Sequence, residues 1–339
     1  MHSSIFNSEV LAELQSAPES TTSQFSLELG MPHLGRNNLS ENALFKAIGH
    51  DRWKRIQELG GTPSALIHDE VGSRLYATFF FLEIDLPREL PLSSFGENST
   101  IEFISNLSHF NKVYLDGRYV LADRPDCSIR ASNVFIYQER GPSKLSLAVP
   151  VNMSFAAIPE LPSAPDSLAQ CRQAKSKGAF FEPQPGDVPL FAGERELAYR
   201  IDPDRDLNGA GLIYFANFIC FLDMAERHVL NTLNHPVPPE LLDARSTHSR
   251  RIGYFGNTQS NDSLHIFVRA RGQLVRTDSR MSFDFGFDFR IRRSCDNKEI
   301  LVSSCRKIAP IQPGTDSERW ASAWMEETQS QDKAQETRL

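Results

Sequence analysis

The clearest pattern in the chain is a strict alternation near its end. Met281, Phe283, Phe285, Phe287, Phe289 and Ile291 alternate with Ser282, Asp284, Gly286, Asp288, Arg290 and Arg292. A period of two places the apolar set on one face of a sheet and predicts a long strand. Cys295-Asp296-Asn297-Lys298 then supplies a turn, and Glu299–Ile308 runs back as its hairpin partner. A helical period precedes it: Phe218, Phe221, Leu222, Ala225, Val229 and Leu233 share one face, with Asn217 placed to cap. The first half repeats the theme. Ser40 can cap a helix whose buried face is Leu44, Phe45, Ile48 and Ile56. Strands are expected at Tyr76–Leu86, Thr100–Leu107, Val113–Leu121, Asn133–Gln138 and Leu145–Val151. The same 177-residue offset separates Ser40 from Asn217, and Arg74-Leu75-Tyr76-Ala77 from Arg251-Ile252-Gly253-Tyr254. Two markers at one offset suggest a tandem repeat.

Composition sets the boundaries. Residues 1–24 are Ser/Thr-rich and aperiodic and read as a flexible leader. Residues 156–190 hold six prolines, so that stretch is expected to resist helix and sheet and to act as a linker. Between them lie unit 1 (25–155) and unit 2 (191–311), followed by a C-terminal helix and tail (312–339) in which Trp320 and Trp324 pack the helix onto the body. One helix with four or five antiparallel strands, twice over, is an α+β chain of double hot-dog form: two tandem units, each a sheet wrapped around a central helix.

Charge and cysteine content narrow the classes. The 36 Lys and Arg against 43 Asp and Glu leave a net charge of −7, without the basic face of a nucleic-acid binder. No apolar run reaches membrane-spanning length, and the first residues lack a secretory pattern, so a cytoplasmic protein without membrane or nucleic-acid partners is expected. Five scattered cysteines without a CxxC pair fit reduced thiols. Metal-ligand spacing is absent. Asp204-Arg205-Asp206-Leu207-Asn208-Gly209 matches the start of a calcium loop, but Phe215 stands at the twelfth position, where a bidentate Glu is needed.

Two resemblances then add function. Asp206-Leu207-Asn208-Gly209-Ala210-Gly211, continuing through Tyr214, Asn217 and Phe218, resembles the segment leading into the central helix of hot-dog acyl-CoA thioesterases. Gly30-Met31-Pro32-His33-Leu34, Leu39-Ser40-Glu41 and Arg74-Leu75-Tyr76-Ala77 resemble the double hot-dog acyltransferase/decarboxylase of leinamycin biosynthesis and its polyketide-cluster relatives. That resemblance implies methylmalonyl- or malonyl-CoA as substrate, no separate cofactor, and passage of the acyl group through a tyrosine ester to an acyl carrier protein, with decarboxylation. The family tyrosine falls on Tyr76. The fold implies a homodimer, with the active site where the two units meet.

The residues themselves leave alternatives open. Tyr76 can accept an acyl group, because a phenolate leaves more readily than an alkoxide, or it can donate a hydrogen bond to an enolate; packing on the core is the ordinary fate of a strand tyrosine. Asn208 stands where thioesterases of this type carry Asp. An amide is neither nucleophile nor general base but can hold a carbonyl or carboxylate, and an Asn-Gly pair is also simply a turn. Asp206, two residues away, keeps hydrolysis open. His33 is a candidate base for Tyr76. The two helix N-termini favour a developing oxyanion, with Gly211 and Asn217 shaping one site and Gly35 and Ser40 the other. Among Arg269, Arg271, Arg276 and Arg280, the last two are the expected contacts to CoA phosphates or an acidic carrier. The rivals are a thioesterase or dehydratase on the same fold, and a non-catalytic acyl-thioester-binding protein.

Overall fold

The computed structural model describes residues 22–139, 144–258, 260–277 and 280–336, with side chains described to 326. Thirteen strands among them form one antiparallel sheet. Its ten principal strands are β1 (Thr22–Glu28), β2 (Tyr76–Asp85), β3 (Thr100–Asn106), β4 (Tyr114–Leu121), β5 (Ser128–Gln138), β6 (Arg195–Arg200), β7 (Ser246–Tyr254), β8 (Ser263–Arg276), β9 (Met281–Arg293) and β10 (Glu299–Ile311). The first five pair in the order β1-β3-β4-β5-β2 and the last five in the order β6-β8-β9-β10-β7. These are the same topology twice. The copies join edge to edge where β2 pairs β7, from Phe81↔Gly253 to Asp85↔Ser249. No helix among the described residues is long and apolar enough to cross a membrane.

Each unit wraps a helix. In unit 1 it is α1 (Glu41–Gly60). The Ser40 hydroxyl accepts the Ala43 N–H at 3.5 Å, and Gly61 ends the helix in the left-handed region at φ 66°. Leu44, Phe45, Ile48 and Ile56 are all buried, as their spacing requires. The unit 2 helix is α3 (Asn217–Asn231), whose Phe218, Phe221, Leu222, Ala225 and Val229 pack in one cluster with Phe283, Phe285, Phe287, Phe289 and Ile291 of β9. Full burial of side chains of this size contributes about 1.5–3 kcal/mol each.

Four expectations need correcting. Asn217 is not the cap of α3 but its first residue; Ala216 is the cap, and the Asn217 amide donates backward to the carbonyls of Arg205 and Asp206 at 3.3 and 3.1 Å. Arg74 and Arg251 are not equivalent either. Arg74 precedes β2, whereas Arg251 lies within β7 and pairs with Glu83 of β2 at 2.6 Å. The repeat lives in the topology and not in the 177-residue offset. The proline-rich stretch contains a helix, α2 (Asp166–Lys177). Its prolines flank the helix, Pro165 sits at the cap and Gly178 closes it, so the twelve residues between are free to coil. Leu168 and Cys171 seat it over Phe80, Phe81, Val134 and Ile136 beside the seam. Of the leader, residues 1–21 lie outside the described residues, and residues 22–24 already belong to β1.

At the other end the C-terminal helix is α4 (Asp316–Glu336). The rings of Trp320 and Trp324 stack at 6.2 Å, and each lies 5.3 Å from Phe283.

Candidate active site

The segment leading into α3 is held by both units. Asn208 folds it locally: its side-chain oxygen accepts the N–H groups of Ala210 and Leu212 at 2.9 and 3.2 Å, and Gly211 takes a left-handed φ of 71°. Gln138, at the end of β5, donates to the Ala210 carbonyl at 2.9 Å. Asn257 brackets Ile213, accepting its N–H at 2.9 Å and donating to its carbonyl at 3.1 Å. The Tyr254 hydroxyl donates to the Phe215 carbonyl at 3.1 Å.

Across the seam, the start of β2 and the middle of α1 complete a cavity of about 330 Å³. It brings Tyr76 and Asn208 together. Its wall is aromatic: Phe79 and Phe215 lie 4.3 Å apart, and Trp53 packs 5.9 Å from Tyr214 and 6.0 Å from Phe215. The Trp53 indole donates to the Ala77 carbonyl at 3.0 Å, which pins α1 to β2. The Arg74 guanidinium lies 4.8 Å from the centroid of the Tyr76 ring and places a positive charge over it. Burial pushes the Tyr214 phenol above its ordinary pKa. No Asp, Glu, His or Cys among the described residues lines this cavity. The Asn208 amide nitrogen makes no hydrogen bond to any described residue and stays available to a ligand.

Asp206 is committed elsewhere. It is 2% exposed, and its carboxylate accepts from the Tyr199 hydroxyl at 2.7 Å, the Asp202 N–H at 2.8 Å and Arg205 Nε at 3.0 Å. Burial, and then the bond to Asp206, push the Tyr199 phenol up to about 12. This carboxylate holds the loop together and does not line the cavity.

The other sequence candidates lie apart from Tyr76. His33 ends a short 3-10 turn, where its Nδ1 accepts the Gly30 N–H at 3.2 Å, and it lines neither cavity of this region. Gly35 and Ser40 line a separate pocket of about 210 Å³ before α1. That pocket is charged. Glu41 meets Arg250 at 2.5 Å and accepts from Thr247, Lys307 bridges Asp223 and Glu226 at 2.9 Å each, and Arg245 meets Glu226 at 2.9 Å. Against the cost of burial, Asp223 and Glu226 hold the Lys307 ammonium above its ordinary pKa. Arg276 and Arg280 line a groove with Arg88 on the far part of the sheet, where Arg276 bonds Ser322 at 3.1 Å. Among the described residues no group of three His, Cys, Asp or Glu is arranged to hold a metal. Sequence reasoning did not single out Trp53, Thr78 or Phe79. An aromatic in a helix and a Thr-Phe pair in a strand carry no local sign that they line a cavity.

A scan against protein-family models finds no match, and a search of curated proteins finds none. Solved structures do match along the chain. An oleoyl thioesterase from Lactobacillus plantarum is similar at 9% identity, covering 86% of this chain and 98% of that one with a TM-score of 0.55. An acyl-ACP thioesterase from Bacteroides thetaiotaomicron is similar at 11% identity, covering 84% and 97% with a TM-score of 0.52. At these identities the likeness establishes the fold, the α+β hot-dog arrangement.

Proposed function

We propose that the protein processes acyl thioesters at the Tyr76–Asn208 cavity, as an acyltransferase/decarboxylase acting on malonyl- or methylmalonyl-CoA. The observation that carries this reading is a phenol and a free amide facing one aromatic cavity with no carboxyl, imidazole or thiol group among its described lining residues. Hydrolysis needs a base or nucleophile of that kind, and the nearby Asp206 is bound on both oxygens. The thioesterase names of the structural neighbours support acyl thioesters as the substrate class of this reading.

The steps follow from the groups present. The Tyr76 oxygen attacks the thioester carbonyl, the C–S bond breaks, and the phenolic proton leaves on the CoA sulfur. The bond from the α-carbon to the carboxylate then breaks, CO2 departs, and the electron pair moves onto the ester oxygen as an enolate. The Asn208 amide donates to that oxygen in an aromatic, low-dielectric wall where a hydrogen bond to developing charge counts most. Solvent water protonates the α-carbon to complete the acyl ester, and its hydroxide is taken up by the departing CO2 as bicarbonate. A carrier-protein thiol then attacks the ester and returns its proton to the Tyr76 oxygen. The ester carbonyl, β to the carboxylate, takes up the electron pair that CO2 leaves behind, so the decarboxylation removes no proton and needs no side-chain base.

The test is incubation with malonyl-CoA and with methylmalonyl-CoA, with and without an acyl carrier protein, read by intact mass. The expected result is an acyl adduct on the protein that moves to the carrier. Free acid without any adduct would assign hydrolysis instead, and binding without turnover would assign a non-catalytic role.

A further inference from the structure

A second cavity of about 380 Å³ adjoins the first, and the two share Thr78, Phe79, Ile213 and Phe215 in their walls. Its floor is apolar, built by Val134 and Ile136 of β5. Tyr76 packs against the same cluster, which also contains Phe80 and Cys171. Tyr76 therefore lines the first cavity and packs against side chains that line the second. The linker helix α2 forms the rim of the second cavity and contributes Arg172 and Lys175 to its lining. Three positions apart, they lie on one helix face. Both are exposed, and neither makes an ion pair or a side-chain hydrogen bond among the described residues. Lys175 Nζ instead sits 4.8 Å from the Phe255 ring centroid, over the cavity edge. This contrasts with the paired arginines elsewhere on the outer sheet face, such as Arg130 with Asp116 and Arg306 with Asp187. Within the walls the Thr78 hydroxyl, too, has no hydrogen-bond partner among the described residues.

Two uncommitted cations at the mouth, an apolar passage that includes the free Thr78 hydroxyl, and a phenol in the adjoining cavity call for a slender ligand with an anionic head. We propose that this cavity takes the 4′-phosphopantetheine arm, with its phosphate on Arg172 and Lys175 and its sulfur end beside Tyr76. Charge-assisted hydrogen bonds from both cations would hold the phosphate. CoA and a carrier protein present the same arm, so one rim serves both the donor and the acceptor. The assignment rests on the reading of Tyr76 as acyl acceptor for its orientation, and on the rim itself for the phosphate.

The experiment is calorimetric titration of the full chain with 4′-phosphopantetheine, pantetheine and CoA, for the wild type and the double variant Arg172→Glu/Lys175→Glu. The phosphorylated arm and CoA are expected to bind at least tenfold more tightly than pantetheine, and the variant is expected to lose that preference. In parallel, acylation of the protein is measured with methylmalonyl-CoA and with the methylmalonyl thioester of N-acetylcysteamine, which has no phosphate. The variant should slow the first tenfold or more and leave the second within twofold. Equal binding of pantetheine and phosphopantetheine by the wild type, or equal slowing of both thioesters, would overturn the proposal. Transfer to a holo-carrier unaffected by the variant restricts the rim to CoA and removes the carrier from the assignment. Phosphate-dependent binding without any Tyr76 adduct would support the cavity assignment while removing the acyltransferase reading, so the two fail separately.

Discussion

The Tyr76 cavity and the charged pocket before α1 occupy equivalent places in the two units. Each is built from the segment leading into one helix, the middle of the other helix, and the start of the strand that crosses the seam. In the first, those parts supply Asn208, Trp53 and Tyr76. In the second they supply Ser40, Asp223 and Thr247, next to the pairs of Glu41, Arg245, Arg250 and Lys307. The backbone offers the same concavity twice, and side chains alone decide its use. Aromatic walls with one free amide leave room for a ligand, whereas interlocked ion pairs satisfy one another and stabilise the helix crossing.

The largest expected effect separates the two directly. Tyr76→Phe should abolish the covalent acyl species, seen as its disappearance from the intact mass spectrum, while Ser40→Ala in the other pocket leaves the rate of adduct formation within about twofold. The stability effects reverse the order. Glu41→Gln removes the carboxylate 2.5 Å from the Arg250 side chain, which is 0% exposed and keeps only Asp223, at 3.8 Å, among the described carboxylates, and removal of one partner of a buried pair costs about 3–5 kcal/mol. Urea denaturation should show that loss, with partial recovery in Glu41→Leu/Arg250→Met. Next comes the contact that couples unit 1 to the cavity wall. A Cβ at Gly49 would lie 2.6 Å from Phe215 Cζ, so Gly49→Val should cost about 1–3 kcal/mol in thermal unfolding and slow acylation by displacing that ring. The smallest effect concerns β7, next to Thr247. Burial holds the His248 imidazole below its ordinary 6.5. The unfolded chain then binds that proton more readily, so stability falls as the pH drops below 6.5. The melting temperature should be lower at pH 5.5 than at pH 7.5 by an amount that shrinks in His248→Gln.

Periodicity made much of the fold legible. The stripe from Phe283 to Ile291 and the helix faces at Leu44 and Phe218 are local signals, and each is buried as its spacing requires. Local signals failed where burial has two faces. β7 begins at Ser246, and its buried Ser246, Thr247 and Arg250 show no alternation, so Arg251 looked like a strand start. Averaged composition likewise hid α2, because the prolines of the linker cluster outside it. Tyr76 and Asn208 could each be singled out by motif, but their shared cavity depends on the β2–β7 pairing, which joins residues far apart in sequence. Arg172 and Lys175 resemble any solvated helix face until the cavity beside them is seen.

The β2–β7 seam carries a consequence for how such a molecule changes over time. Two separate hot-dog chains would meet at a concentration-dependent interface, and any substitution would strike both halves at once. Here the halves share one polypeptide, so dilution cannot part them and each position mutates alone. That independence permits Asn208, Trp53 and Tyr76 on one side of the pseudo-dyad while Glu41 and Lys307 hold the other, a division of labour that strict symmetry forbids.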